Sequence, residues 1–108
     1  MKGDKLGEFE ELTLLALCAI KGDVYGVPVQ KYVEKVTGRN VTMGAVYAAL
    51  ARLDDKGYVR SFLGEATQVR GGKRKRLYEA TAAGLKTVRE LRRVREHIWR
   101  AIEAGRRA

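Results

Sequence analysis

A mostly α-helical fold with one small β-hairpin is what this 108-residue sequence predicts, on three observations. Apolar residues recur at intervals of three and four in four separate segments. Two short runs of β-forming residues flank a glycine-containing basic stretch. The single proline, Pro28, falls where a helix would begin, the one place in a helix that tolerates it.

The first helix is expected from about Glu8 to Ile20. Its apolar positions (Phe9, Leu12, Leu14, Leu15, Leu17 and Ile20) are dense enough to make it nearly central. Cys18 lies inside this run, so a reduced, buried, structural thiol is expected. Lys21, Gly22 and Asp23 then break the helix. A second helix starts around Val27, carries Val29, Tyr32, Val33 and Val36 on its inward stripe, and ends at Gly38. Thr42 is placed to cap a third helix, whose inward stripe reads Met43, Val46, Leu50 and Leu53 and which Gly57 closes. Residues 58–63 and the pair Leu77 and Tyr78 form the hairpin strands, with Gly64, Gly71 and Gly72 in the long loop between them. After Thr81 a fourth helix of about 24 residues carries Leu85, Val88, Leu91, Val94, Ile98 and Ile102 at helical spacing.

That last helix is too long to bury its stripe against so small a domain, so a second copy of the chain is its natural partner. The interface expected is this stripe together with Trp99, Phe9 and Leu12. Helix, helix, turn, helix and basic hairpin is the element order of a winged helix-turn-helix. Residues 1–80 would form the DNA-binding part and residues 81–108 the dimerisation helix, within one compact domain.

Charge agrees with this reading. The net charge is +9 and the pI about 10.0, which points to a polyanionic partner. Residues 1–23 carry a net −2, whereas residues 60–80 carry +4 and residues 81–108 carry +5. Five of the seven residues from Arg70 to Arg76 are basic. Such a stretch is either a solvated loop or a wing laid along a phosphate backbone.

Other function classes find little support. No apolar run approaches the roughly 18 residues of a membrane span, and no signal-peptide core is evident, so a cytoplasmic protein without a membrane partner is expected. Asp54 and Asp55 are helical neighbours pointing about 100° apart and cannot pair for acid–base work. His97, the only histidine, has no cysteine near it in sequence, and no ligand spacing for a metal or cofactor appears. The chain does not read as an enzyme.

On the third helix, the face opposite the inward stripe shows Gly44, Ala45, Ala48 and Arg52, with Tyr47 on the flank, and these together with Thr42 and Met43 at the helix start are the expected DNA contacts. Gly44 and Ala48 permit close entry into a major groove, and Ala45 can touch a thymine methyl. Arg52 is open to three roles: a bidentate guanine contact, a phosphate contact, or a solvated charge. The first-turn N–H groups after Thr42 can receive a phosphate. Lys73, Arg74 and Lys75 would contact phosphates or enter a narrow minor groove. With so few base-reading side chains, specificity would rest mainly on half-site spacing and DNA shape.

These residues resemble the PadR family of transcriptional regulators. The resemblance is carried by Tyr25 and Gly26, by Val41 through Tyr47, and by Leu50, Arg52, Leu53 and Gly57 through Val59. It continues in Gly71 through Lys75, Tyr78, and Thr81 through Gly84, and covers roughly residues 9–102. The length is similar to that of the family's short subgroup with one C-terminal helix. The resemblance implies a homodimeric DNA-binding repressor, often relieved by a small molecule, in which Tyr47 hydrogen-bonds a phosphate. Packing of Tyr47 on the second helix is the other reading of that residue. Ala48 stands where members commonly have proline, and Arg95 stands where some short members have a ligand-stacking tryptophan, with Trp99 one turn later. A ligand-responsive variant of the same function would use a pocket near Phe9, Leu12, Leu91, Arg95 and Trp99, residues that otherwise form plain dimer core.

Overall fold

The computed structural model describes residues 5–64 and 74–107. Six elements follow in order: α1 (Glu8–Ala19), α2 (Gly26–Thr37), α3 (Met43–Asp55), β1 (Val59–Leu63), β2 (Arg76–Ala80) and α4 (Ala82–Arg107). Among the described residues, no helix is long and apolar enough to cross a membrane.

The core forms where α1, α2 and α3 converge. Leu14, Val29, Val46, Leu50 and Leu53 are wholly excluded from solvent, and Val59 at the start of β1 closes one end. Truncating Leu50 to alanine removes several buried methylenes and costs about 2–5 kcal/mol. Ala49, not Met43, completes the inward face of α3: Ala49 is buried and Met43 half-buried. On α2, Val29 and Val33 are buried, but Tyr32 and Val36 are exposed. They border a groove toward α1 lined also by Leu12, Leu15 and Ala19. Cys18 corrects the buried-thiol expectation: it is exposed, because α1 is covered by α3 on its other side and Cys18 turns toward the cleft beneath the sheet.

The two strands pair antiparallel, Val59 opposite Ala80 and Ser61 opposite Tyr78. The Tyr78 N–H also donates to the Val24 carbonyl (2.9 Å), which ties β2 to the segment before α2. Burial holds the Tyr78 phenol above its ordinary pKa, with Arg76 partly offsetting it and Tyr47 and Asp54 adding to it.

The end of α3 and the beginning of α4 are locked together. Gly57 turns into the left-handed region (φ 81°), which an L-residue rarely adopts. Its N–H donates to Asp54 and the Tyr58 N–H to Leu53, closing the helix. The Thr81 hydroxyl donates to the Gly57 carbonyl (2.7 Å) and accepts from the Gly84 N–H (3.1 Å), so one side chain caps α4 and holds the turn after α3. Beyond this junction α4 runs 26 residues, about 39 Å. It meets α1 as far along as Arg95, which bonds to Glu11, and is exposed along its distal half, including Val94, Ile98, Trp99 and Ile102.

Candidate nucleic-acid interface

The turn between α2 and α3 is held by side chains from α2. Gly38 ends that helix in the left-handed conformation, its N–H bonded to Glu34. The Glu34 carboxylate accepts from the Val41 N–H (2.8 Å), and the Gln30 amide donates to the Val41 carbonyl (2.8 Å). Both backbone groups of Val41 are therefore satisfied just ahead of the next helix. Thr42 then caps α3 as expected, its hydroxyl accepting from the Ala45 N–H at 3.1 Å. A shallow cleft of about 250 Å³ at this helix end is lined by Phe9, Arg39, Asn40, Val41, Thr42 and Ala45.

The outward face of α3 is made of small side chains. Gly44, Ala45, Ala48 and Ala51 are exposed, and Tyr47 stands at their flank with 49% of its surface exposed. The Tyr47 ring lies over Gly26 at the start of α2. A β-carbon on Gly26 would sit 2.8 Å from the ring edge and from the phenol oxygen. The ring therefore packs on the start of α2 while the residue as a whole stays half exposed. Gly26 is the partner that sequence reasoning places in a motif without a physical role. Its position two residues before Pro28, at the opening of a helix, is the only local signal.

Arg52 is engaged within the chain, while its side chain stays 56% exposed. Its Nε donates to Glu10 of α1 at 2.8 Å, and Lys56 donates to the other oxygen of the same carboxylate at 2.6 Å. Glu10 also reaches back to the Gly7 N–H (3.3 Å), satisfying a free donor at the start of α1. Burial alone would raise the Glu10 pKa, but the bonds from Lys56, Arg52 and Gly7 outweigh it and hold the carboxyl below its ordinary value. The group therefore stays charged and fastens α1 to the last turns of α3.

On the hairpin, the Gly64 N–H donates to Lys75 (2.7 Å) and Arg74 Nε donates to the Gly64 carbonyl (2.7 Å), so the wing root is stapled. The Lys75 ammonium rests 4.2 Å from the centre of the Tyr25 ring, a cation–π contact linking wing and α2. Arg76 donates to Ser61, and Arg60 pairs with Glu79 across the strands. Lys73, expected as a phosphate contact, lies outside the described residues. Thr42, Gly44, Ala45, Tyr47 and Ala48 thus share the outer side of α3. Tyr47 and Lys75 meet α2 at the adjacent residues Gly26 and Tyr25.

The expected dimer and ligand residues divide. Phe9, Leu12, Leu85, Val88 and Leu91 are half-buried within the chain, whereas Val94, Ile98, Trp99 and Ile102 are exposed. Arg95 is engaged by Glu11 of the same chain through two bonds, of 2.6 and 3.2 Å. Phe9 and Leu12 line two different clefts, neither of which includes Arg95 or Trp99. Although Cys18 is exposed, the surrounding protein partly desolvates its thiol and raises its pKa, partly offset by Arg89. Among the described residues no group of histidine, cysteine and carboxylate side chains is arranged to hold a metal.

A braced turn, a capped helix with a bare outer face and a basic hairpin beside it define a winged helix-turn-helix protein. The sequence model of the transcriptional regulator PadR-like family matches residues 14–90, and the chain belongs to that family. A transcriptional regulator from Clostridium thermocellum is 27% identical, with 88% of this chain and 89% of that one covered and a TM-score of 0.67. A PadR family transcription regulator from Clostridium difficile is 26% identical, covering 91% and 93% at a TM-score of 0.65. The Bacillus subtilis PadR structure in complex with operator DNA has the same fold (TM-score 0.64, 19% identity), covering 81% of this chain and 48% of that one. No curated protein matches the chain.

Proposed function

We propose that this chain acts in the cytoplasm as a homodimeric repressor that binds double-stranded DNA sequence-selectively. The observation that carries the reading is the exposed, small-residue face of α3 behind its Thr42 cap, beside the wing-root cations Arg74 and Lys75. Residues 1–80 hold the DNA-contacting parts and residues 81–108 the dimerising helix. Gly44, Ala45 and Ala48 let α3 sink into the major groove, with Met43 at its mouth, and Tyr47, Lys73, Arg74 and Lys75 hold phosphates. Arg52 serves as a strut to Glu10, not as a base reader.

Dimerisation is supported by the apolar stripe that α4 leaves bare. Val94, Ile98, Trp99 and Ile102 are 42–59% exposed, and they lie on the helix face that continues from the half-buried Val88 and Leu91. The groove bordered by Leu12, Leu15, Tyr32 and Val36 offers an apolar acceptor on the partner.

The reading is tested by titrating random-sequence duplex at several salt concentrations. Replacing Arg74 and Lys75 together by alanine is expected to flatten the slope of log K against log salt by about 0.9 for each lost phosphate contact. An unchanged slope makes these cations ordinary surface charge. Selection of bound sequences from a random pool then identifies the operator.

A further inference from the structure

We propose that the outer face of α4 is a second duplex-binding surface, with which a DNA-bound dimer holds another DNA segment. The proposal rests on the DNA-binding reading above and adds a surface that reading does not use.

At 100° per residue, Lys86, Arg89, Arg93 and Arg100 fall within about 60° of one another around the helix. The centre of that stripe lies about 160° from the centre of Val88, Leu91, Ile98, Trp99 and Ile102. All four cations are exposed. The ion pairs that α4 makes among the described residues involve other arginines, Arg92 with Glu96 and Arg95 with Glu11. Glu90 and Glu96 flank the stripe, but among the described residues neither is ion-paired to its four cations, and because the stripe lies opposite the apolar face the proposed dimer leaves it open.

Its shape selects the partner. Lys86 and Arg100 are separated by about 21 Å along a straight helix. Over that length a duplex presents about a dozen phosphates, so a row of cations meets a row of anions. A lipid surface fits less well. A helix binds the lipid interface by burying its apolar face there, and the proposed dimer already covers that face, so only the charged side is left. No phenylalanine, tyrosine or tryptophan shares the stripe with the four cations, so it lacks the row of stacking rings that holds single-stranded nucleic acid.

The test uses the full chain and two random-sequence duplexes, one fixed to beads and one fluorescent and free. Protein on the first duplex is expected to capture the second. A variant with Lys86→Gln, Arg89→Gln, Arg93→Gln and Arg100→Gln is expected to lose capture while still occupying the fixed duplex. Capture by the wild type should fall with salt more steeply than any residual capture by the variant, by about 3.6 in slope, or 0.9 for each of four phosphates. Lysine at positions 89, 93 and 100 (Arg89→Lys, Arg93→Lys, Arg100→Lys) should restore capture, which a folding defect would not allow. Equal capture by wild type and the glutamine variant overturns the proposal. So does charge-dependent binding to anionic phosphatidylglycerol vesicles with capture unaffected, which would make the surface a lipid contact. A wild type that occupies the fixed duplex but captures no second one overturns this proposal alone. A wild type that binds no duplex at any salt overturns the DNA reading as well.

Discussion

A β-carbon on Gly84 would lie 2.1 Å from the carbonyl oxygen of Tyr58. The first turn of α4 therefore rests directly on the backbone that leaves α3, and Thr81 bonds to the same turn from the other side. The end of α3 and the start of α4 are thus in direct backbone contact. Gly84→Ala is expected to cost at least about 1–3 kcal/mol, since backbone on both sides must move. Gly105→Ala meets nothing within 4 Å and should be neutral or stabilising by about 0.5–1 kcal/mol. Urea unfolding of the two variants measures the difference.

Gly26→Ala should displace the Tyr47 ring, whose edge and phenol lie 2.8 Å from the point the new methyl group would occupy. Tyr47→Phe keeps the ring and removes the hydroxyl. If the phenol's position serves DNA binding, each change weakens affinity by about tenfold, the equivalent of one hydrogen bond to a charged group. The double variant should be little worse than either single one, because both remove the same contact. Additive losses in a DNA titration would separate the two residues.

Glu10 makes stability depend on acid. A carboxyl whose folded pKa lies below its unfolded value contributes fully above the unfolded value and loses that contribution as pH falls through the folded one. The window thus opens near the ordinary value of 4.5 and extends below it. Glu10→Gln should remove this acid-sensitive component. At neutral pH it should cost about 3 kcal/mol, the lower end for breaking a buried pair, because Arg52 is half exposed. Thermal unfolding of wild type and variant between neutral and acidic pH should show the two curves converging as the pH falls.

Thr42→Ala removes the hydroxyl that accepts from Ala45 and should cost about 1 kcal/mol of stability. Thr42→Ser keeps the cap and should restore it. Chemical denaturation reads the effect independently of any DNA contact.

Ile98→Glu places a charge in the exposed stripe of α4 and should convert a dimer to a monomer in sedimentation, with the helical signal unchanged. Affinity for a two-half-site duplex should fall at least about a hundredfold, because linked binding is lost. Trp99 offers a second readout. Its emission should shift on dimerisation, and quenching by a planar aromatic compound in the intact dimer would indicate an effector site.

Much of this architecture is legible locally. Thr42 before an apolar stripe, Gly38 and Gly57 after two others, and the basic run between two β-rich segments each name an element boundary through nearby chemistry. Contacts between distant residues are not legible. Periodicity gives a helix a face but not its cover. Tyr32 and Val36 follow Val29 at helical spacing and so read as inward, yet they border an open groove beside Leu12 and Leu15 of α1. Arg52 looks free because Glu10, its partner, is 42 residues away in sequence. Cys18 belongs to a strongly apolar run, but the cleft toward the sheet leaves that side of α1 open. For Gly26, the reason is a ring supplied from 21 positions further along.

The bare distal half of α4 also bears on how the protein responds to its own abundance. In the proposed dimer, a newly made chain would carry Trp99 and three aliphatic neighbours in water until it met a twin. While chains are scarce, that paired form would grow as the square of their number, so doubling synthesis would roughly quadruple the proposed DNA-binding species. Once chains are plentiful, that amplification disappears. Occupancy of a target would then be steepest at low expression, a threshold set by the apolar area of one helix.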